Sequence, residues 1–570
     1  MSSIAPSAAL TVNLALVTTS KQELQEKKQN GIYYTPDRAA QILTRWAIRR
    51  PSDIVLEPSF GGCGFLVATR DRLLELGTSV PQNNLYGCDI DERAFEFLKN
   101  LLGRVPAGHF KQIDFLTISP TVFPKADAVI GNPPYVSLHN MQESQRTATR
   151  AIIAGEHDDM NGRASLWMYF VLHSLAFLKP GGRVAWILPG SFVYSDYSTK
   201  LRTKLEACFG RCLAIILEDR LFISEGTEES SVVLLCEGYQ QGTDTKMRLT
   251  SAKGLSELEG AIERWSIGDV VGGEWIGRPQ LALASSVARE SYQKLLTKAA
   301  AHRLSEFANI KIGIVTGANR FFVLAAKQAE SLGLPSESVT PILARFTQAR
   351  GLQLCDADLQ ETQREGKRCL LVNTRHQEVL PTTVESYLAT FPVEEKKKNN
   401  TFTRRTIWHQ PDDGKHPDGF FSSMQTEGPV LVLNQTMATC TNTVYRVFFG
   451  TKVSDEKKRT IAVSLQSTFS QFSAEVEGRS YGHGALKIEP SEAKRIAILL
   501  PKGKALEDLD KAFAEIDVFL RVGNREGARN AADAFLLTQG LITKDQISAI
   551  QQGLQRLRQT RNGYRKETST

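Results

Sequence analysis

The sequence predicts an α/β fold with a mostly parallel sheet, followed by a second domain of mixed α and β structure and a helical C-terminal extension. Three observations predict it. Short apolar runs alternate with helical patterns between residues 38 and 240. Glycine, proline and acidic residues follow several of these runs. Beyond about residue 240 the alternation gives way to an irregular pattern. Alternating strands and helices are typical of a parallel sheet covered on both faces.

The elements of the first domain follow from local periodicity. Apolar residues recur at helical spacing over residues 38–48, and a second apolar helix is predicted at residues 164–178. The end of this helix and a turn are predicted at Lys179-Pro180-Gly181-Gly182. The apolar runs predict strands at residues 54–58, 85–89, 109–114, 128–132, 184–189, 213–217 and 232–236. Ligands of such sheets bind at the carboxyl ends of the strands, near the point where strand order reverses.

Four segments are predicted along the 570 residues. Residues 1–25 are small, polar and poorly patterned, which indicates a flexible N-terminus. Residues 26–240 form the α/β domain, residues 245–500 the mixed domain, and residues 501–570 the helical extension.

Composition is that of a globular protein, with 42% hydrophobic and 23% charged residues. The apolar runs are shorter than a bilayer span, and the N-terminus lacks the pattern of an export signal. We therefore expect a cytoplasmic protein with no membrane partner. The eight cysteines are scattered, which favours buried free thiols in a reducing compartment over disulfides or a zinc site, and no metal is expected.

The net charge of +7 is compatible with a polyanionic partner but does not establish one. The excess is uneven, with clusters at Lys396-Lys397-Lys398 and Arg404-Arg405 and a basic C-terminal tail. Each cluster has a simpler interpretation as a solvated face.

The strand predicted at residues 128–132 ends in Asn132-Pro133-Pro134-Tyr135. The prolines fix φ and remove backbone donors, so a rigid loop is expected. Such a loop can hold the Asn132 amide oxygen and a prolyl carbonyl as acceptors for both protons of an exocyclic amine. The nitrogen lone pair then becomes available to attack an electrophilic carbon, while Tyr135 stacks on the ring. The alternative is an ordinary strand followed by a proline-rich turn.

A glycine-rich turn follows the first predicted strand, in the run Glu57-Pro58-Ser59-Phe60-Gly61-Gly62-Cys63-Gly64. Glycines let a backbone approach a ligand closely. The run lacks both the lysine of a phosphate-binding loop and the spacing of a dinucleotide-binding loop. Glu57 at the strand end favours a cationic ligand over a pyrophosphate.

Acidic residues also follow the second and third predicted strands. Asp89 can accept both hydroxyls of a ribose, and Ile90 can lie against a purine. Asp114 can accept from an adenine amino group, beside Phe115. Together with Glu57 these residues describe a pocket for adenosine joined to a positively charged amino acid, which S-adenosylmethionine fits.

The order of these motifs resembles the γ subclass of the N6-adenine DNA methyltransferases. In that family a G-x-[FY]-[FY]-T-P segment comes first, then an E-P-x-x-G-x-G-type loop, an acidic second strand, D-F and N-P-P-Y. The resemblance covers residues 31–236 and implies a Rossmann-like class I methyltransferase domain at residues 26–240, with a target-recognition domain at residues 245–500. It also implies methyl transfer from S-adenosylmethionine to adenine N6 in a specific double-stranded DNA sequence, with base flipping.

The resemblance assigns roles residue by residue. It places the cofactor against Tyr34, Thr35, Glu57, Pro58, Gly61, Asp89, Ile90, Asp114 and Phe115. It assigns the chemistry to Asn132, Pro133, Pro134, Tyr135 and Phe222. In the second domain, basic and aromatic residues are candidates for contact with DNA: Arg320, Arg404, Arg405, Trp408, Arg479 and Tyr481.

Other acceptors share this chemistry, so alternatives remain at this point. Cytosine N4, an RNA base or a protein glutamine could be methylated by the same loop, and a non-catalytic DNA-binding subunit is an alternative from another class. Asn132, in place of a serine, favours adenine by family resemblance. We see no nuclease motif, so a cognate restriction endonuclease would be a separate partner.

Overall fold

The computed structural model describes residues 35–156, 164–218, 231–242, 245–375, 377–481, 484–501 and 506–562. Within these ranges the chain divides into two compact units. Unit 1 runs to Met247 and includes Ala252–Val270. Unit 2 comprises Arg248–Ser251 and the chain from Val271 onward. None of the described helices is both long enough and apolar enough to span a bilayer.

Unit 1 contains a sheet flanked by helices. Its described helices are α1 (Asp37–Ala47), α2 (Gly64–Glu75), α3 (Glu92–Leu102), α4 (Glu143–Glu156), α5 (Leu166–Leu175), α6 (Ser191–Tyr194), α7 (Asp196–Cys208) and α8 (Leu255–Ser266). Its strands are β1 (Val55–Glu57), β2 (Leu85–Asp89), β3 (Phe110–Gln112), β4 (Ala126–Gly131), β5 (Leu178–Pro189), β6 (Phe209–Leu217) and β7 (Ser231–Tyr239).

The strands of unit 1 are ordered β3-β2-β1-β4-β5-β7-β6. Strands β1 to β5 pair in parallel, with Val55 opposite both Leu85 and Ala128. Strand β7 lies antiparallel between β5 and β6. The prediction of a mostly parallel sheet is therefore confirmed. Because the order reverses between β1 and β4, the carboxyl ends of these two strands form the crevice where a ligand is expected.

Burial explains why the central strands read as continuous apolar runs. Every residue of β4 is buried, as a strand covered by helices on both faces must be. Helix α5 is apolar on all sides and is almost entirely buried, with Trp167 only 1% exposed. The core of unit 1 thus forms around β4, β5 and α5, and it fixes the loops at their ends.

The helix predicted at residues 164–178 is shorter than expected. Helix α5 ends at Leu175, and β5 already begins at Leu178, so Lys179-Pro180-Gly181-Gly182 lies inside a strand. The pairing of β4 with β5 shifts register between Ala126 and Ala128, and Gly181 adopts φ +78°. The prediction of a helix stop was wrong here because the same residues can form an irregularity at the start of a strand.

Unit 2 contains a short β8–β9 pair, formed by β8 (Arg248–Ala252), of which the last residue is assigned to unit 1, and β9 (Gly273–Glu274). Its longer sheets have the orders β11-β20-β16-β18-β14, β12-β15-β13-β19, β17-β22-β21 and β10-β23. These strands are β10 (Ala301–Arg303), β11 (Ala308–Ile312), β12 (Val323–Ala325), β13 (Val339–Leu343), β14 (Gln353–Leu354), β15 (Arg368–Val372), β16 (Gly419–Ser422), β17 (Met424–Gln425), β18 (Leu431–Asn434), β19 (Thr439–Cys440), β20 (Val444–Phe449), β21 (Arg479–Tyr481), β22 (Ala485–Lys487) and β23 (Ala497–Leu499).

The helices of unit 2 are mostly short until the C-terminal part. They are α9 (Pro279–Leu283), α10 (Ser286–Leu296), α11 (Asn319–Phe322), α12 (Ala326–Ser331), α13 (Asp356–Arg364), α14 (Thr382–Ala389), α15 (Val393–Lys398), α16 (Asn400–Thr403), α17 (Asp455–Leu465), α18 (Thr468–Glu477), α19 (Pro490–Ala493), α20 (Leu506–Arg521), α21 (Arg525–Thr538) and α22 (Lys544–Asn562). The last three are the longest, and they lie in the segment for which a helical extension was predicted.

The C-terminal helix α22 is anchored by buried charge. Arg561, only 4% exposed, donates from Nε and Nη2 to the Glu475 carboxylate at 3.0 and 2.8 Å. Arg558 donates to the same carboxylate at 3.2 Å. Glu475 itself lies in α18 and is 3% exposed. These two arginines of the basic C-terminal region therefore link α22 to α18 within unit 2.

Candidate active site

A cavity of about 400 Å³ opens at the carboxyl ends of β1 to β4. This volume suits a small-molecule ligand. The structure brings eight of the predicted residues into its lining: Pro58, Gly61, Asp89, Ile90, Asp114, Phe115, Asn132 and Pro134. Six of the predicted cofactor residues and two residues of the amide corner thus line one cavity, although they were predicted from separate motifs.

The glycine loop is held directly against the end of β2. The Gly61 backbone N–H donates to Asp89 Oδ2 at 2.8 Å, and the Asp91 N–H donates to Oδ1 at 2.9 Å. Gly61 and Cys63 both have positive φ, +43° and +62°, so the loop turns sharply before α2 begins. A Cβ at Gly87 would lie 2.7 Å from the Glu57 carbonyl oxygen, so no side chain fits there. Close strand packing therefore fixes Asp89 at the cavity wall.

Glu57 ends β1 in a desolvated position. It is 2% exposed, and its Oε2 has no hydrogen-bond partner among the described residues. Burial, and then the charge of Asp89, raises the pKa of Glu57 well above its usual value, while the Leu66 N–H that donates to the carboxylate opposes this shift. An approaching cation would favour the ionised form, so this carboxyl group fits a positively charged ligand.

Asp89 and Asp114 share this electrostatic character. Burial raises the pKa of both carboxyl groups, although each accepts a backbone N–H, from Gly61 and from Leu116 respectively. Their remaining lone pairs can accept hydroxyl or amino protons of a ligand. Three carboxyl groups at successive strand ends agree with a pocket for a cationic nucleoside, and the residues present fit S-adenosylmethionine.

Apolar side chains form the other wall of the cavity. Ile90 is 63% exposed, and Phe97 and Ile113 are each 41% exposed. A flat apolar ring such as a purine would cover this surface. Phe115, in contrast, is 1% exposed, and its ring packs against Phe170 with centroids 5.4 Å apart. Phe115 therefore forms part of the cavity wall, as one of the predicted cofactor residues, but exposes very little of its ring.

The amide corner is fixed by its neighbours on both sides. The Ser59 hydroxyl donates to the Asn132 carbonyl oxygen at 3.4 Å, and the Tyr135 hydroxyl donates to the Ile187 carbonyl oxygen of β5 at 3.2 Å. A Cβ at Gly131 would approach the Trp186 ring to 3.2 Å, so β4 ends tightly against β5. The Asn132 backbone is thus held by the glycine loop and the Tyr135 side chain by β5, before any ligand binds.

Four predicted residues of this site do not line the cavity. Glu57, Pro133 and Tyr135 lie next to residues that line it. Thr35 lies against the glycine loop, where its carbonyl oxygen would be 3.5 Å from a Cβ on Gly64. Tyr34 and Phe222, which were also predicted, lie outside the described residues.

Sequence reasoning missed part of the lining. Phe97 and Ile113 carried a usable signal, because each is an apolar residue on a polar segment near a predicted acidic strand end. The remaining lining residues follow from tertiary structure alone: Ser59, Asp91, Arg93, Ala94, Val136, Gln142, Gln145, Leu166 and Phe170.

The predicted DNA-contacting residues fall into two groups in unit 2. Arg320, Arg404 and Tyr481 are exposed. Arg405 donates to backbone carbonyl oxygens, including that of Thr316 at 2.9 Å. Arg479 is paired with the fully buried Glu492.

Trp408 is half-buried, with its ring centroid 5.3 Å from that of Phe402. These contacts favour structural roles for Arg405, Arg479 and Trp408.

The strand order, with an acidic cavity at the carboxyl ends of the strands and the amide corner beside it, is that of a class I methyltransferase fold. Residues 19–257 match the family model described as N-6 DNA Methylase, and residues 280–537 match the one described as Type II methyltransferase M.Eco57I, C-terminal domain. The chain belongs to the N6-adenine DNA methyltransferases of restriction–modification systems. Membership of this family implies S-adenosylmethionine as the methyl donor.

Individual relatives have low sequence identity to this chain, but their alignments cover most of it. The chain is 21% identical over 491 residues to Type II methyltransferase M.AccI of Acinetobacter calcoaceticus, covering 83% of this chain and 86% of that protein. It is 23% identical over 495 residues to Type II methyltransferase M.XamI of Xanthomonas campestris pv. amaranthicola, covering 82% and 85%. Among solved structures, the Type IIL restriction-modification enzyme MmeI in complex with DNA matches with a TM-score of 0.50 and 11% identity, covering 96% of this chain and 74% of that one.

Proposed function

We propose that the cavity of unit 1 holds S-adenosylmethionine, and that Asn132-Pro133-Pro134-Tyr135 receives an adenine flipped out of a specific double-stranded DNA site, as in the γ subclass. The observation that carries this proposal is the shared lining: Asn132 and Pro134 face the same cavity as Asp89 and Asp114. A methyl donor held by the acidic residues would therefore lie beside the corner that accepts the amine.

Each wall of the cavity has a distinct task in this proposal. Asp89 accepts the ribose hydroxyls, Ile90 covers one face of the purine, and Asp114 accepts from its amino group. Glu57 stabilises the positive charge of the methionine end, and Thr35 lies near the loop that encloses it. Gly61 and Pro58 shape the backbone around the ligand.

The chemistry assigned to this chain is mainly positioning. When bound, S-adenosylmethionine supplies an electrophilic methyl group on a sulfonium. The Asn132 amide oxygen and the Pro133 carbonyl oxygen accept the two amino protons and so localise the nitrogen lone pair. The described cavity lining contains no histidine or lysine. This agrees with a reaction that needs no strong base, because an alkylated amine is acidic enough to lose its proton to water.

Base flipping is required because adenine N6 is paired within the duplex. Unstacking a base costs a few kcal/mol, and stacking on an aromatic ring returns about 1–3 kcal/mol. Tyr135 is suited to this role because its hydroxyl is fixed to β5 and its ring orientation is set in advance. Phe222 is proposed as a second stacking residue.

Target recognition is assigned to residues 245–500, with residues 501–570 as a helical extension. Double-stranded DNA is the proposed partner, and a cognate restriction endonuclease would act on the same site as a separate protein. Both activities require chromosomal DNA, so we place the protein in the cytoplasm.

The decisive experiment compares Asn132→Ala with Asn83→Ala, an exposed control at the amino end of β2, the edge of the sheet opposite the cavity. The target site is first mapped by long-read sequencing of DNA from cells that express the protein. Methyl transfer from labelled S-adenosylmethionine should fall by about three orders of magnitude in Asn132→Ala, the loss expected when transition-state hydrogen bonds are removed. Cofactor affinity should stay within about threefold in both variants. Turnover near wild type in Asn132→Ala would refute the role of the corner.

A further inference from the structure

We propose that unit 2 contacts DNA through one rigid surface, formed by residues 313–320 and residues 393–408, and that Arg405 positions this recognition surface without contacting DNA itself. The inference rests on the proposed function, because it concerns how the methyltransferase selects its site. It goes further by naming the surface and by separating the residues that support it from those that meet the nucleic acid.

Arg405 joins the two segments of the recognition surface. Its Nη1 donates to the carbonyl oxygens of Thr316 at 2.9 Å and Trp408 at 3.2 Å, and its Nη2 donates to the carbonyl oxygen of Val315. A guanidinium can satisfy three carbonyls at once because its donors form a planar fork, whereas a lysine cannot reproduce that geometry. With these donors engaged, the side chain is committed to the protein backbone.

A second hydrogen bond joins the two segments at the turn formed by residues 315–318. Asn399 Nδ2 donates to the Gly317 carbonyl oxygen at 3.0 Å. Gly317 has φ +84°, and a Cβ at this position would lie 2.5 Å from Cε1 of the Phe402 ring. The backbone of the turn therefore rests directly on Phe402, and both the conformation and the contact require glycine.

An aromatic cluster stiffens the surface from below. Phe402 is 3% exposed, and its ring centroid lies 5.3 Å from those of Phe391 and Trp408. Lys396 Nζ lies 4.3 Å from the centroid of Trp408. Trp408 thus supports the recognition surface, which is ordered before a ligand binds. Such preorganisation favours binding because less conformational entropy is lost.

The outer side of the turn carries groups suited to base edges. Val315 is 48% exposed, and Asn319 and Arg320 are also exposed. The Asn319 amide oxygen accepts a hydrogen bond from the Thr316 hydroxyl at 2.5 Å, which orients this amide within the turn. Amide and guanidinium groups form paired hydrogen bonds with purine edges, and an apolar group meets the thymine methyl. These three side chains are therefore assigned to base readout.

The segment of residues 393–408 supplies charge for the phosphates. Lys397, Lys398 and Arg404 are exposed, and they outnumber the carboxylates of Glu394 and Glu395 on the same segment. Lys397 lies 3.1 Å from Glu394, but an ion pair this exposed is worth little and can be exchanged for a phosphate contact. Two other arginines of unit 2 are less available, since Arg479 and Arg561 are bound to the buried carboxylates of Glu492 and Glu475.

The phosphate half of the inference is tested by the salt dependence of DNA affinity. The triple variant Lys397→Gln/Lys398→Gln/Arg404→Gln is compared with the equally neutralised control Lys294→Gln/Lys511→Gln/Lys544→Gln, whose three lysines are exposed elsewhere in unit 2. Fluorescence anisotropy on a duplex containing the mapped site should show the slope of log affinity against log salt reduced by about 2–3 in the first variant and unchanged in the control. Equal slopes in the two variants would overturn the assignment.

The positioning half is tested by sequence discrimination. Arg405→Lys keeps the positive charge but loses the guanidinium that donates to three carbonyl oxygens. The kcat/KM for the mapped site, divided by the kcat/KM for sites that differ by one base, should therefore fall at least about tenfold. The salt slope and cofactor affinity should stay at wild-type values, which a general loss of folding would not allow. If Arg405→Lys does not fold, Arg320→Gln, an exposed substitution, should lower the same ratio with the fold intact.

The outcomes separate the inference from the function on which it rests. Wild-type discrimination in the folded variants, in a protein that methylates DNA, would overturn the recognition surface alone. A wild-type protein that transfers no methyl group to DNA would instead overturn the proposed function.

Discussion

Asp533 is predicted to make the stability of unit 2 depend on pH. This residue of α21 is 5% exposed and accepts the backbone N–H of Thr468 at 2.8 Å and the Thr468 hydroxyl at 2.5 Å. Burial raises the pKa of Asp533 to about 6 from a usual value of 3.8, although both hydrogen bonds oppose the shift. The carboxyl group therefore favours folding when protonated and opposes it when ionised.

The sign and size of the effect follow from linkage. Because the folded-state pKa is the higher one, the contribution of Asp533 is most favourable below pH 3.8 and is lost as pH rises through about 6. One pKa unit corresponds to about 1.4 kcal/mol, so ionisation costs the fold about 3 kcal/mol at high pH. Roughly half of this loss, about 1.5 kcal/mol, falls between pH 5 and pH 8.

The assay compares wild type with Asp533→Asn, which keeps hydrogen-bonding groups but does not titrate. Hydrogen exchange of the α18 and α21 amides, measured on both proteins at each pH, reports the local opening free energy of these helices. The opening free energy of Asp533→Asn minus that of wild type should grow by about 1–1.5 kcal/mol from pH 5 to pH 8. Thr468→Val should make the stability of these helices depend more strongly on pH, because it removes a hydroxyl donor that favours the ionised carboxylate. A difference between wild type and Asp533→Asn that stays constant with pH would refute the argument.

Three further outcomes are expected. Asp89→Ala should weaken S-adenosylmethionine binding about 10–100-fold by isothermal titration, since the ribose acceptor and the anchor of Gly61 are lost together, while DNA affinity without cofactor stays unchanged. Wild-type cofactor affinity should rise with pH as the raised pKa of Glu57 is passed, and this component should disappear in Glu57→Gln; an identical pH profile would contradict it. Arg561→Met should destabilise unit 2 by about 3 kcal/mol in denaturant unfolding because Glu475 loses its main partner, and adding Glu475→Leu should recover most of the loss.

The fold of unit 1 and the main residues of its cavity could largely be predicted from local sequence signals. Strand β2 was predicted with its observed bounds, and Asp89, Asp114 and Asn132 meet at one cavity because parallel strands place their carboxyl ends together. What local signals could not show is how segments pair. The run at residues 179–182 has the composition of a turn, and only its pairing with β4 reveals that β5 has already begun.

The charged residues of unit 2 show the same limit more clearly. Arg405 and Arg404 are adjacent and chemically identical, yet the first binds carbonyls 89 residues away in sequence and the second is exposed. Arg479 was predicted to contact DNA, but its partner Glu492 becomes buried only when unit 2 folds. A guanidinium has no sequence signal for its partner, so the division between structural and surface arginines required the tertiary structure.

The carboxylate of Glu475 sets a practical boundary for shortened versions of the protein. Deleting the chain from residue 557 onward would remove both Arg558 and Arg561 and leave an uncompensated negative charge inside unit 2. Trimming the basic C-terminal region this far, to improve crystallisation or to reduce nonspecific adsorption, would therefore destabilise unit 2. A truncation series should keep residue 561 or replace the glutamate at the same time.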